Sequence, residues 1–210
     1  MLDIKVKTNE DAISIALSNL PEGQNKAFVC FTGGKFGLGV LQALNEKDLD
    51  ISNWSIFQTD ERVEAEPEEV IQSQLIKNLR LCRGFNLANC NFFSYDSFDK
   101  NTLEDLSQKL INIPKKEFDI TILSLGEDGH LAGHFENSIK VKDDAFCYTE
   151  DSPKLPKKRI SMTVSQLMNS KKIILACLGD SKKAALDDLL SGKSIHSELI
   201  EHQGLILVRD

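Results

Sequence analysis

Phe118-Asp119-Ile120-Thr121-Ile122-Leu123 runs through Ser124 and Leu125 straight into Gly126. Isoleucine and threonine favour the pleated backbone and a glycine ends the run, so the segment predicts a central β-strand. Upstream, Ala27-Phe28-Val29-Cys30-Phe31 reads the same way and ends at Thr32-Gly33-Gly34, after which Leu38, Leu41 and Leu44 recur at helical spacing. Before it, residues 8–20 predict a helix capped by Thr8 or Asn9, with Ile13, Ala16, Leu17 and Leu20 on one stripe. Beyond it, Trp54-Ser55-Ile56-Phe57 predicts a strand, followed by a polar loop and a long helix from about Pro67 to Leu81. A short strand near Asn91–Phe93 and a helix near 102–111 complete the first half.

Downstream, strands are predicted at Arg159–Thr163, Lys172–Leu178 and Leu205–Val208, with a helix from Ser181 to Leu190 between the last two. Strands alternating with helices, several of them apolar at consecutive positions, imply a parallel sheet covered on two sides. No composition break, repeat or Gly/Ser linker interrupts residues 1–210, so one α/β domain is expected. Ile139 to Lys158, with its charges and two prolines, reads as a surface excursion.

Open sheets of this class bind ligands beyond the carboxyl ends of their strands. Three motif-bearing loops follow predicted strands here, after Phe31, Phe57 and Leu123. The third, Leu125-Gly126-Glu127-Asp128-Gly129-His130-Leu131-Ala132, carries glycines that permit a sharp turn lifting Asp128 and His130 out at the strand end. An imidazole titrates near neutrality and can take a proton from water, while a neighbouring carboxylate fixes its tautomer. The plainer alternative makes His130 a helix-start residue satisfied by backbone. His134, four residues on, would place two imidazoles on one helix face as metal ligands, but HExxH is absent and no third ligand is evident, so no metal is expected.

The first loop, Thr32-Gly33-Gly34-Lys35-Phe36-Gly37, could bring backbone N–H groups and a helix N-terminus to an anion, with Lys35 adding a full charge. It matches neither GxGxxG nor the Walker pattern, and the plainer alternative is an ordinary strand-to-helix turn. Thr59-Asp60-Glu61-Arg62-Val63 puts two carboxylates and a guanidinium at the crevice, or forms a solvated turn. Lys157-Lys158-Arg159 precedes a strand and Gly179-Asp180-Ser181-Lys182 separates a strand from a helix. Either could be solvated charge, but Arg159 and Lys182 border element ends and are the better anion contacts.

Bulk composition narrows the classes. The chain has 210 residues, 41% of them hydrophobic, which suffices for one sizeable core. A net charge of −7 and the lack of a basic, aromatic-interleaved stripe argue against nucleic acid and anionic membranes as partners. The five cysteines are irregularly spaced without a CxxC pair, and Cys30 and Cys177 sit in strand-like runs as small hydrophobes. No apolar run approaches the ~20 residues of a membrane span, and Met1-Leu2-Asp3-Ile4-Lys5 lacks the apolar core of a secretory signal. A cytoplasmic protein is expected.

In this order, the segments resemble the 6-phosphogluconolactonase family, whose superfamily includes glucosamine-6-phosphate deaminase. The resemblance runs from Phe28 to Asp210 and rests on Thr32-Gly33-Gly34, Asp60-Glu61-Arg62-Val63, Leu125 to Ala132, Arg159-Ile160 with Thr163, and Gly179-Asp180-Ser181-Lys182. It implies a modified doubly wound, Rossmann-like, mostly parallel sheet with helices on both faces. It also implies hydrolysis of 6-phosphoglucono-1,5-lactone to 6-phosphogluconate in the pentose phosphate pathway. His130 matches the family's general base, with Asp128 orienting it or a substrate hydroxyl and Asp60 supporting the pocket. Gly33, Gly34, Arg62, Arg159 and Lys182 match sugar-phosphate positions, and Gly129 belongs to the histidine motif. The implied partner is a small sugar-phosphate lactone, bound by a monomer or small homo-oligomer without a cofactor.

The sequence departs from the family in three places. Lys35-Phe36-Gly37 stands where Ser or Thr and then Pro usually follow the glycines, so Lys35 is expected to replace a hydroxyl donor by charge. Gln72-Ser73-Gln74 stands near the usual Ser-Asn, and Leu131 to Glu136 follows the usual tail of the histidine motif only in part. Two rival functions remain. An amino-sugar-phosphate isomerase/deaminase would need the carboxylate of an Asp-Glu-Tyr run and a glutamate five residues after its histidine, where this chain has Arg62 and Phe135. A non-catalytic sugar-phosphate sensor is the other, although no DNA-binding segment is evident.

Overall fold

The structure is a computed structural model and describes all residues except 24, 100, 114–116, 136–138 and 143. In chain order the first half gives β1 (Leu2–Lys5), α1 (Asn9–Asn19), β2 (Ala27–Phe31), α2 (Gly34–Glu46), β3 (Trp54–Gln58), β4 (Asp60–Val63), α3 (Ile71–Leu79), β5 (Cys90–Asn91) and α4 (Thr102–Ile111). The second half gives β6 (Phe118–Ser124), β7 (Ile139–Lys142), β8 (Phe146–Thr149), β9 (Lys158–Met162), α5 (Val164–Met168), β10 (Ser170–Cys177), α6 (Lys183–Leu190) and β11 (Leu205–Arg209).

Seven strands form one sheet in the order β1-β11-β10-β6-β2-β3-β5, every pair parallel. The predicted central strand β6 lies between β10 and β2, with Ile122 in register with Ile174 and Phe31. Successive side chains on a strand point to opposite faces, and the core divides accordingly. Val29, Phe31, Ile56, Ile120, Ile122 and Ile174 pack under α1, α2 and α3. Phe28, Cys30, Phe57, Leu123, Ile173 and Leu175 face the other way. There the cover is α4, α6 and a second, antiparallel sheet of order β4-β9-β8-β7. Helices therefore lie on both faces, and the second sheet is the modification.

Helix α1 starts where expected, because the Thr8 hydroxyl accepts from the Asp11 N–H and the Asp11 carboxylate accepts from the Thr8 N–H. Three expectations need correcting. The long helix from Pro67 to Leu81 is only Ile71–Leu79, because the buried Glu61 carboxylate accepts the N–H groups of Ile71 and Gln72 and so sets its first turn there. The stretch Ile139 to Lys158 is no surface excursion: β7 and β8 lie in it, and Phe146, Cys147, Tyr148 and Thr149 are all buried. Short antiparallel strands between charged residues and prolines have too few positions to display a period. Finally, Asp60 to Val63 is a strand opposite β9 and not a solvated loop.

Candidate functional site

Strands β2 and β6 are neighbours, and the chain leaves them in opposite directions, β2 towards β3 and β6 towards β10. This switch point opens a crevice at the carboxyl edge. A cavity of about 760 Å³ fills it, lined by Gly33, Gly34, Lys35, Asp60, Arg62, His130, Arg159 and Lys182 among others. Eight of the ten residues singled out from sequence thus share one wall system. Asp128 and Gly129 are not on it; they act on His130 from behind.

After Ser124 the chain makes a closed turn in which the N–H of Gly126 donates to the His130 carbonyl at 2.8 Å and that of Gly129 to the Gly126 carbonyl at 3.1 Å. Gly129 takes φ +83°, a conformation glycine adopts without strain. A Cβ on Gly126 would collide with the His130 imidazole and the Asp128 carboxylate, so only glycine lets the ring lie against the strand end. The Asp128 Oδ1 is bound to His130 Nδ1. That contact assigns the Nδ1 proton to the carboxylate side and leaves Nε2 as the free lone pair. Burial lowers the His130 pKa, outweighing Asp128, which raises it. For Asp128 burial acts upward, yet its hydrogen bond and charge interaction with His130 bring the net shift down. The pair is a neutral imidazole beside a carboxylate at neutral pH.

His130 and His134 do not share a helix, because this segment is a bridged turn with Leu131 paired to Leu125 and to His134. His134 is buried, its Nε2 3.1 Å from the Met162 carbonyl and 3.1 Å from Cys147 Sγ. Among the described residues no group of three or more His, Cys, Asp or Glu is placed to hold a metal ion.

Strand β4 presents alternate residues to the cavity. Asp60 and Arg62 line it, while Glu61 turns away to α3 and does not belong to the crevice as expected. Arg62 stands in register directly opposite Arg159 on β9. Like charges facing each other across an antiparallel pair are destabilising unless something compensates. Each guanidinium keeps a buried Nε without a partner, while Arg62 Nη1 donates to the Glu69 carbonyl and Arg159 Nη2 to that of Leu155. Burial is the main influence lowering the Arg159 pKa; Asp60 opposes it and Arg62 adds to it. Two facing cations, one buried and one half-buried, each with a spare Nε donor, have the chemistry to take an anion between them.

The opposite wall is α2, whose N-cap Gly33 provides no side-chain cap and whose first residue Gly34 has φ +75°. Uncapped N–H groups and the exposed Lys35 therefore meet the cavity at a positive dipole end. Lys182 sits in a 3₁₀ turn ahead of α6, donating to Ser124 Oγ at 2.8 Å, and burial lowers its pKa. Sequence reasoning missed Lys154, which also lines the cavity and pairs with Glu127 at 2.9 Å. Ser152, itself buried, fixes it, donating to the Lys154 carbonyl and accepting from its N–H. Its signal was present as a lysine between two prolines, hidden in the stretch read as an excursion.

The architecture is that of a doubly wound α/β protein with a cationic cavity at its switch point and one carboxylate-bound histidine within it. The chain belongs to the family of glucosamine-6-phosphate isomerases/6-phosphogluconolactonase, matched over residues 6–206. It is 33% identical over 148 residues to a 6-phosphogluconolactonase of Borreliella burgdorferi, covering 59% of this chain and 63% of that one. The chain thus spans less than two thirds of that relative's length. A glucosamine-6-phosphate deaminase of Malacoplasma penetrans is 27% identical over 98% of this chain and 93% of its own. In fold, the chain is similar to the 6-phosphogluconolactonase of Thermotoga maritima, with a TM-score of 0.84 at 19% identity over 99% of this chain and 98% of that one. Among the described residues no helix is long and apolar enough to cross a membrane.

Proposed function

We propose that the protein hydrolyses 6-phosphoglucono-1,5-lactone to 6-phosphogluconate. The observation that carries this reading is the pairing of Arg62 and Arg159 across two strands in the same cavity as the Asp128-bound His130. A dianionic phosphate relieves the repulsion between the two guanidiniums, and the α2 N-terminus with Lys35 adds to its binding. The sugar then spans the cavity and brings its lactone carbonyl to His130. Binding energy collected at the phosphate holds the reacting carbon in place.

His130 Nε2 takes a proton from water, and the resulting hydroxide forms a bond to C1. Asp128 stabilises the imidazolium so formed. Charge moves onto the carbonyl oxygen, where Lys154 and Lys182 supply positive potential. The tetrahedral intermediate collapses, the bond from C1 to the ring oxygen breaks, and His130 returns its proton to that oxygen. Asp60 balances the charge of Arg159.

The full-length match to a deaminase favours a second reading, isomerisation of an amino sugar phosphate. That reaction moves a proton between carbons, and against it stand Arg62 and Phe135, where the resemblance to the deaminases implies a tyrosine and a glutamate. The deciding experiment supplies freshly prepared lactone and follows acid release above the spontaneous rate, with glucosamine 6-phosphate in parallel. Acid release supports the proposal; ammonia release without it replaces the proposal with the deaminase.

A further inference from the structure

Phe135 takes no part in the steps above, yet it touches two of the groups they use. Its ring is 2% exposed and stacks on the His130 imidazole, with centroids 4.3 Å apart and planes 20° from parallel. The Arg159 guanidinium carbon lies 5.2 Å from the centroid of that ring. His130 comes from the turn after β6 and Arg159 from β9, so one aromatic side chain is a support common to both. The backbone before it is fixed as well: Leu131 and His134 exchange both their N–H···O bonds, and the His134 ring contacts the Met162 carbonyl at the end of β9.

We propose that Phe135 is a positioning residue that holds the base and one arm of the anion grip in a single geometry. Its consequence for turnover rests on the lactonase reading. A flat ring against an imidazole stops rotation of the imidazole about its Cβ–Cγ bond, which keeps Nδ1 on Asp128 and Nε2 directed to the cavity. It also keeps water off one face of the imidazole, and its π-cloud attracts the guanidinium. An aliphatic side chain is smaller than the ring, has no flat face to stop that rotation and no π-cloud, and leaves room for water on the imidazole face.

The test is Phe135→Leu, read in three ways: the His130 titration by NMR, the affinity for 6-phosphogluconate, and kcat and KM against pH. The charged and titratable groups acting on His130 are Asp128 and Asp60, which raise its pKa, and Lys154, which lowers it, with His196 also coupled to it. Burial is the largest influence and acts downward, so admitting water moves the His130 titration, and with it the acid limb of kcat/KM, to higher pH. A shift of roughly half a unit is expected, together with roughly threefold weaker 6-phosphogluconate binding and a larger, roughly tenfold fall in kcat. A purely structural loss would lower the amount of active protein and leave the titration where it was. If the leucine variant does not fold, Phe135→Met, which also lacks the ring but adapts its shape to the site, is measured identically. An unmoved His130 titration together with unchanged affinity, in a folded variant, overturns the proposal. Absence of lactone turnover by the wild-type protein would remove the lactonase reading instead, and the His130 titration with inorganic phosphate affinity would still decide the role of Phe135.

Discussion

His130 and His134 lie on one short turn, and burial lowers the pKa of both, yet their surroundings differ in every respect that matters to chemistry. His130 keeps a fifth of its side chain exposed, faces the cavity and has a carboxylate at Nδ1. His134 is sealed in, beside a thiol, a backbone carbonyl and the ring of His196, and no carboxylate is among the groups that shift it. Burial alone makes an imidazole neutral. A carboxylate partner and an open edge are what allow it to gain and return a proton. The turn therefore separates the proposed base from a buried, partnered imidazole by their neighbours.

The largest effect expected from this contrast is on turnover. His130→Ala should lose lactone hydrolysis by about 100-fold or more, the usual scale of general-base assistance. His134→Gln should stay within about threefold of wild type in kcat but melt at lower temperature, since a buried imidazole loses partners worth about 1–3 kcal/mol. Acid release and thermal melts on both variants settle the contrast, and a folded His134→Gln with His130-like inactivity would break it. Next in size, Arg159→Ala removes one of two facing guanidiniums. Titration calorimetry should give about 30-fold weaker 6-phosphogluconate binding, the range of a charge-assisted contact. Unchanged affinity would mean the arginine pair is not the phosphate seat.

The buried pair also makes a pH prediction. Burial takes His134 and His196 down to about 4 from the ordinary value of 6.5. The unfolded chain then binds protons that the folded protein refuses, so stability is complete above about 6.5 and falls as pH drops towards 4. At least a tenfold loss in the folding constant is expected across that window, measured by urea midpoints. His196→Gln should flatten the slope, because it cannot titrate. An equal slope in the variant would place the acid sensitivity elsewhere.

The order of elements was legible because parallel strands buried on both faces give apolar runs, as in Ala27–Phe31, and because caps such as Thr8 mark helix starts. That Gly33, Gly34 and His130 reach the crevice was legible for a related reason: glycines at strand ends announce turns there. The second sheet was not legible. Strand β8 is four residues long and draws its partner β9 from beyond a proline-containing turn, so its burial is a tertiary fact. The Arg62–Arg159 opposition was hidden for the same reason, since cross-strand register cannot be counted from spacing. Lys154 disappeared with it, and so did the contact of Phe135 with Arg159.

The smallest effect concerns Lys35, and it sharpens the contrast between grip and base. A lysine in the first turn of a helix opposes the dipole and gains nothing from the helix itself. It lines the cavity from an exposed position, where a bound anion would offset that opposition while solvent screens most of its charge. Lys35→Ala should therefore weaken 6-phosphogluconate binding by only about threefold at low salt, with kcat unchanged, and the difference should fade at high ionic strength. Product affinity measured at two salt concentrations checks this. A fall in kcat at constant KM would place Lys35 with the reacting groups near His130, and an unaltered affinity at low salt would leave the α2 N–H groups as the only contribution of that wall.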